Sequence, residues 1–284
     1  MERLPFFQWV AQRQRDLQTW LCLGLDPRPA WLLDDGRAGD NPWFAWGRRL
    51  LDATADVICC VKPNVAFYEA GGLQGLEGLR ATVAYAHERG LPVILDAKRG
   101  DIGSTAEAYA RACYEWLGAD AVTLNPYLGR DAVEPFLRDG RGVFLLCHTS
   151  NPSAQEFQTL VAAGRPLYEL VAERAMSWGS QIGLVVGATY PEAVERVRHV
   201  APYAWLLLPG VGAQGGDPAR VAQVAGSRAI VPVSRAIATA PESVRQPTTS
   251  PARHSGRSAS CKPSVPPLRC HVRAHSTVWA SSGR

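Results

Sequence analysis

The sequence predicts a (β/α)8 barrel of the TIM type, with eight parallel strands alternating with helices. Three observations carry this. Residues 1–240 alternate short apolar runs with longer amphipathic stretches. There are eight such runs, the number that closes a barrel. Polar residues gather directly after the runs, and in an α/β barrel the chemistry sits where strands end.

The runs occupy 20–25, 57–61, 92–95, 121–124, 143–147, 182–186, 205–208 and 229–233. They are short and predominantly apolar, as expected of parallel strands covered on both faces. Between them, Ser104-Thr105-Ala106-Glu107 has capping-box spacing and predicts a helix continuing from Ala108 to Leu117. Pro191-Glu192 opens another, with Val194, Val197 and Val200 on one face. Asp217-Pro218 reads as an N-cap followed by a first-turn proline. The alternative architecture, a doubly wound open sheet, calls for Gly-x-Gly-x-x-Gly after the first strand. Gly24-Leu25-Asp26-Pro27 does not match it.

The chain has 284 residues, 46% apolar and 20% charged, enough to bury a sizeable core. The periodic pattern stops near Pro241. Residues 242–284 are rich in Ser, Pro and Arg and are expected to be disordered, leaving the barrel in residues 1–241. The net charge of +4 comes from this end. Residues 241–284 hold seven Lys/Arg and one acid, leaving 23 basic and 25 acidic side chains in 1–240. The body therefore gives no electrostatic ground for nucleic-acid binding. No stretch of about 18 apolar residues predicts a transmembrane helix. The N-terminus mixes Phe6, Phe7 and Trp9 with Arg13, Arg15 and Asp16, unlike a signal peptide, so a cytoplasmic location is expected. Cys22, Cys59, Cys60 and Cys147 lie in apolar runs and read as buried free thiols of a reducing compartment. No cysteine pair has metal-ligand spacing.

The candidate site follows from the strand ends. These carry Asp26, Lys62-Pro63-Asn64, Asp96 to Asp101, Asn125, His148-Thr149-Ser150, the glycine-rich segment 209–216, and Ser234-Arg235. Residues 1–240 use 21 arginines but only two lysines, Lys62 and Lys98, both at strand ends. An ammonium can give up a proton where a guanidinium cannot, so a proton donor is expected at one of them. Asp96, Lys98 and Asp101 form an Asp-x-Lys-x-x-Asp array. Strand alternation would put Asp96 and Lys98 on one face, with both carboxylates flanking the ammonium. Lys62 extends this to alternating charges, suited to a reaction that builds negative charge on carbon and then needs a proton. A structural salt-bridge network is the plainer alternative. The glycine-rich segment and Arg235 follow strands 7 and 8, where barrels often bind phosphate. His87 and His199 lie in helical stretches and read as surface residues, and nothing marks His148 as a ligand or triad member.

Six segments, in order, resemble the orotidine 5′-phosphate decarboxylase family in its longer bacterial form. They are Leu25-Asp26-Pro27, Val61-Lys62-Pro63-Asn64 with Phe67-Tyr68-Glu69, Asp96-Ala97-Lys98-Arg99-Gly100-Asp101-Ile102-Gly103, Thr149-Ser150-Asn151, Pro209-Gly210-Val211-Gly212 and Ser234-Arg235-Ala236-Ile237. The similarity runs from about residue 20 to 240. It implies conversion of orotidine 5′-monophosphate to UMP in pyrimidine biosynthesis, with no metal or organic cofactor. It implies that Lys98 protonates C6 while Asp96 sits beside the departing carboxylate. Asp26 and Lys62 would hold ribose hydroxyls, Thr149 or Ser150 the pyrimidine, and Gln214 and Arg235 the phosphate. It further implies a homodimer in which Asp101 and Thr105 reach the neighbouring subunit's site. The chain departs from the family after Ile237, where Ala238-Thr239-Ala240 leads into the Ser/Pro/Arg-rich segment, so the family's final helix is expected to be lacking. Two alternatives follow. One is a Mg²⁺-dependent sugar-phosphate decarboxylase or aldolase of the same superfamily, against which Lys62 and Asn125 stand where an acidic ligand would be wanted. The other is an inactive truncated barrel.

Overall fold

The computed structural model describes residues 4–32, 41–211 and 215–240. Its framework is eight parallel strands: β1 (Leu21–Leu25), β2 (Cys60–Pro63), β3 (Ile94–Arg99), β4 (Ala121–Leu124), β5 (Gly142–His148), β6 (Ile182–Val186), β7 (Trp205–Leu207) and β8 (Ala229–Val233). Each bonds to its chain neighbour from β3 round to β8, which continues to β1 and β2. Parallel bridges Val61–Val93 and Asn64–Asp96 then bring β2 back to β3. The expected barrel is therefore present. The second and third strands start later than their apolar runs. Val57, Ile58 and Cys59 are buried in a turn, where Arg13 binds the Ile58 carbonyl at 2.9 Å.

Helix α1 (Phe6–Leu17) precedes β1 and closes the N-terminal end of the barrel. The Phe6 amide donates to the Gly140 carbonyl at 2.9 Å, and Phe6 and Val10 pack with Cys22, Cys60, Phe144 and Ile230 inside the barrel. Strand alternation turns Leu21, Leu23 and Leu25 outward, into the cluster beneath the helices. With one end plugged, the carboxyl ends of the strands are left for the site.

The surrounding helices are α2 (Pro42–Thr54), α3 (Val65–Glu69), α4 (Gly72–Glu88), α5 (Gly103–Arg111), α6 (Ala154–Phe157), α7 (Leu167–Met176), α8 (Pro191–Val200), α9 (Pro218–Ala225) and α10 (Arg235–Ala238). As read from sequence, α8 opens at Pro191, and the Asp217 side chain caps α9 by accepting from the Ala219 amide at 2.9 Å. Three expectations are corrected. Helix α5 starts at Gly103 without a side-chain cap, so Ser104 lies inside it; past Arg111 it loosens into a π-helical turn at Ala112–Trp116. Between β4 and β5 there are only two 3₁₀ turns, Pro126–Leu128 and Glu134–Phe136, because prolines and Gly129 interrupt any longer helix. His87 is not a free surface residue: its Nε2 lies 2.8 Å from Asp120, with a side chain only 9% exposed.

After β8, α10 supplies one helical turn with Ile237 and Ala238 buried. This is the part of a final helix that the described residues contain. The segment 242–284, expected to be disordered, lies outside them. Ala229 and Val231 of β8 are buried in the main core. Cys22, Cys59, Cys60 and Cys147 are buried free thiols, as is Cys113. No helix among the described residues is long and apolar enough to cross a membrane.

Candidate active site

The ends of β2 and β3 bring three charges into direct contact. Lys62 Nζ lies 2.6 Å from Asp96 Oδ2, and Lys98 Nζ lies 2.5 Å from Asp96 Oδ1. Burial by itself would push the Asp96 carboxyl up, but the two ammonium groups outweigh it and hold it well below the usual carboxylate range. Burial likewise opposes the charge on Lys62, and Asp96 and Asp26 outweigh it, so its pKa is raised. Lys62 is enclosed, whereas the Lys98 side chain is 48% exposed and reaches into the open end. One ammonium is structural in setting and the other is accessible to a substrate.

Simple alternation does not create this contact. Leu95 pairs with Val122 and Arg99 with Leu124, so Asp96, Ala97 and Lys98 together face Thr123 alone. The strand bulges there. Lys98 takes a left-handed backbone, with φ of 47°. The bulge turns Lys98 back onto Asp96. Thr123 Oγ1 accepts from the Ala97 and Lys98 amides at 3.0 and 2.9 Å and donates to Asp96 Oδ1 at 3.0 Å. Sequence reasoning missed Thr123. Its signal was a hydroxyl within an otherwise apolar run, Ala121-Val122-Thr123-Leu124.

The fourth charge is not in this cluster. Among the described residues, Asp101 bonds only the Ile102 amide, at 2.8 Å, and Thr105 is exposed on α5. The expectation that both carboxylates flank Lys98 is corrected: within one chain only Asp96 does, while Asp101 accepts from the backbone that leads into α5.

Asp26, at the end of β1, has a buried Oδ1 with no hydrogen-bond partner, an acceptor left over for a bound hydroxyl. It lines a cleft of about 130 Å³ with Lys62, Pro209, Gly210, Ser234 and Arg235. Arg235 is exposed at this cleft, at the start of α10, with Gly210 and Val211 opposite. Gly24 allows this corner to form, since a Cβ there would meet Ser234 Cβ at 2.9 Å. Gln214 lies outside the described residues. A larger groove, about 540 Å³, opens at the other end of the barrel beside α1 and carries no carboxylate.

After β5, Thr149 is fully engaged. Its hydroxyl donates to Asn151 Oδ1 at 2.7 Å and accepts from Gln158 Nε2 at 2.8 Å. Ser150 is half-buried and its hydroxyl has no bond to the described residues. The end of β6 presses against it: a Cβ on Gly187 would come within 2.7 Å of Ser150 Cα. His148 is buried edge-on between Tyr168 and Tyr190, and burial lowers its pKa.

A closed eight-stranded barrel with a Lys–Asp–Lys contact at its strand ends defines the class, a (β/α)8-barrel enzyme. Comparison with known proteins narrows this. The model of the orotidine 5′-phosphate decarboxylase / HUMPS family matches residues 19–246. The orotidine 5′-phosphate decarboxylase of Roseiflexus sp. (strain RS-1) is 51% identical over 219 residues, covering 75% of this chain and 80% of the relative. That of Halorubrum lacusprofundi is 48% identical over 218 residues, covering 75% and 77%. Among solved structures, Leishmania donovani OMP decarboxylase aligns with a TM-score of 0.74 and 38% identity, covering 84% of this chain and 92% of that one. The chain belongs to the orotidine 5′-phosphate decarboxylase / HUMPS family.

Proposed function

We propose that this chain is a carbon–carbon lyase that decarboxylates orotidine 5′-monophosphate to UMP in pyrimidine biosynthesis, and that its strand-end residues carry the reaction. The observation behind the site assignment is the Lys62–Asp96–Lys98 contact, joined to an open cleft that ends at Arg235.

In this reading Arg235 holds the phosphate and Gln214 assists it. Asp26 and Lys62 hold ribose hydroxyls. Ser150, rather than the engaged Thr149, meets the pyrimidine. Binding energy from the remote phosphate is used to organise the reacting end. The C6–carboxylate bond breaks, CO₂ leaves, and the electron pair stays on C6. Lys98 Nζ then gives that carbon a proton and is recharged from solvent. The fixed ammonium stabilises the developing carbanion without having to reorganise. Asp96 stays ionised beside the substrate carboxylate and holds the Lys98 ammonium in place. Neither a metal nor an organic cofactor has a step in this scheme. Both Asp96 oxygens are taken by ammonium groups, a donor set unlike that wanted by Mg²⁺ chemistry.

Residues 1–241 carry the activity in this proposal. The protein acts as a cytoplasmic homodimer, with Asp101 and Thr105 completing the partner's site. Support for the dimer is that neither Asp101 nor the exposed Thr105 bonds its own chain's charge cluster among the described residues; the buried thiols suit a reducing compartment. The test is the ultraviolet absorbance of orotidine monophosphate with the purified protein. It should decay, and Lys98→Ala should slow the decay by ~10²–10⁴-fold or more with an unchanged circular dichroism spectrum. Activity of Lys98→Ala within about tenfold of the parent would remove Lys98 as the donor.

A further inference from the structure

We infer that Thr123 is a positioning residue for the proton donor: its hydroxyl fixes the bulge in β3 and so aims the Lys98 ammonium. The inference rests on the decarboxylase reading for its consequence in turnover, but its geometry stands separately.

Three residues of β3 are set against one of β4, and that one is Thr123. Its hydroxyl uses its full capacity, two lone pairs for the Ala97 and Lys98 amides and one proton for Asp96 Oδ1. The residue is 1% exposed, so no solvent competes for these bonds. Lys98 meanwhile sits at φ of 47°, a conformation that a residue with a β-carbon keeps only when its surroundings over-determine it. The Asp96 oxygen that takes the Thr123 proton is the one that also takes the Lys98 ammonium, at 2.5 Å. One hydroxyl therefore fixes Lys98 twice, at its amide and, through Asp96, at its charged end.

A valine of the same shape would fill the space but leave two amides without an acceptor inside the bulge. Those amides can find partners only if the backbone shifts, and Lys98 shifts with it. Displacing a reacting group by about an ångström costs on the order of 10²-fold in rate. Asp26 follows β1 and Arg235 opens α10, both away from the β3–β4 pair, and neither bonds Thr123. Turnover should fall while substrate binding stays.

The experiment compares kcat and KM for orotidine monophosphate in the parent, Thr123→Val, Thr123→Ala and Thr123→Ser. Thr123→Val and Thr123→Ala should lose on the order of 10–100-fold in kcat with KM within about threefold of the parent. Thr123→Ser, which keeps the hydroxyl, should recover kcat to within about threefold. Should Thr123→Val fail to fold, the smaller Thr123→Ala decides. Crystal structures of the parent and a folded hydroxyl-less variant give a readout independent of activity, since Lys98 should leave the left-handed region in the variant. An active parent whose hydroxyl-less variant keeps its kcat overturns the positioning role alone, as does a serine variant that fails to recover. An inactive parent whose variant still displaces Lys98 overturns the decarboxylase reading and leaves the positioning role standing.

Discussion

Lys62→Met tests the charge cluster most directly. Methionine keeps the length and apolar bulk of the stem and removes the ammonium. The Lys62 and Asp96 side chains are 9% and 11% exposed, so the substitution breaks a buried pair. Removing one partner from such a pair costs about 3–5 kcal/mol. Asp96 keeps Lys98 at 2.5 Å and the Thr123 hydroxyl at 3.0 Å, so its buried carboxylate is not left uncompensated, although the half-exposed Lys98 is partly screened. That places the loss near the lower end, about 3 kcal/mol. In a domain of this size each kcal/mol moves Tm by roughly 2–4 °C, so a fall of about 6–12 °C at pH 7 is expected. The sign with pH follows from the two groups. The folded pKa of Asp96 is depressed, because two ammonium groups outweigh burial. Its contribution is present above the unfolded value of about 3.9 and is lost as pH falls through the folded one. The folded pKa of Lys62 is raised, because Asp96 and Asp26 outweigh burial. Its contribution is present below the unfolded value of about 10.4 and is lost as pH rises through the folded one. The gap between parent and variant should therefore be widest at intermediate pH and narrow toward both extremes. Thermal melts by circular dichroism across that range measure it. A Tm within about 2 °C of the parent at pH 7, or a gap indifferent to pH, would refute the view that this pair is a buried, net-favourable interaction.

Three further outcomes follow from the site. Arg235→Ala should weaken nucleotide binding by roughly 1.5–3 kcal/mol in calorimetry, while the phosphate-free nucleoside orotidine is indifferent; equal losses for both would place Arg235 outside the phosphate site. Ser150→Ala should cost about 0.5–1.5 kcal/mol of nucleotide affinity, whereas Thr149→Val should lower Tm and leave affinity nearly unchanged, and the reverse pattern would exchange their roles. If Asp101 serves the partner's site, mixing inactive Lys98→Ala and Asp101→Asn proteins should restore roughly one quarter of the sites after random re-assortment; a mixture that stays inactive after subunit exchange argues against shared sites.

The sequence by itself determined the architecture and the inventory of charges. Eight apolar runs separated by helical stretches leave parallel strands covered on both faces, and a closed barrel satisfies them all. Only two lysines in residues 1–240, both after strands, already singled out Lys62 and Lys98, because the rest of the body uses arginine for plain positive charge. Tertiary structure decided how these residues meet. Alternation along a strand has a period of two, and a bulge breaks it, so that pattern cannot supply the turn that brings Lys98 onto Asp96 or the left-handed backbone that turn requires. The partners of a hydroxyl are likewise set by neighbours distant in sequence. That is why Thr123 passed as a strand residue, why Thr149 and Ser150 were equivalent until Gln158 and Asn151 claimed the first, and why His87 counted as surface until Asp120 was found beside it. Local spacing fixes which groups are available at each strand end, but hydrogen bonds between strands fix where those groups point, and only the folded chain contains them.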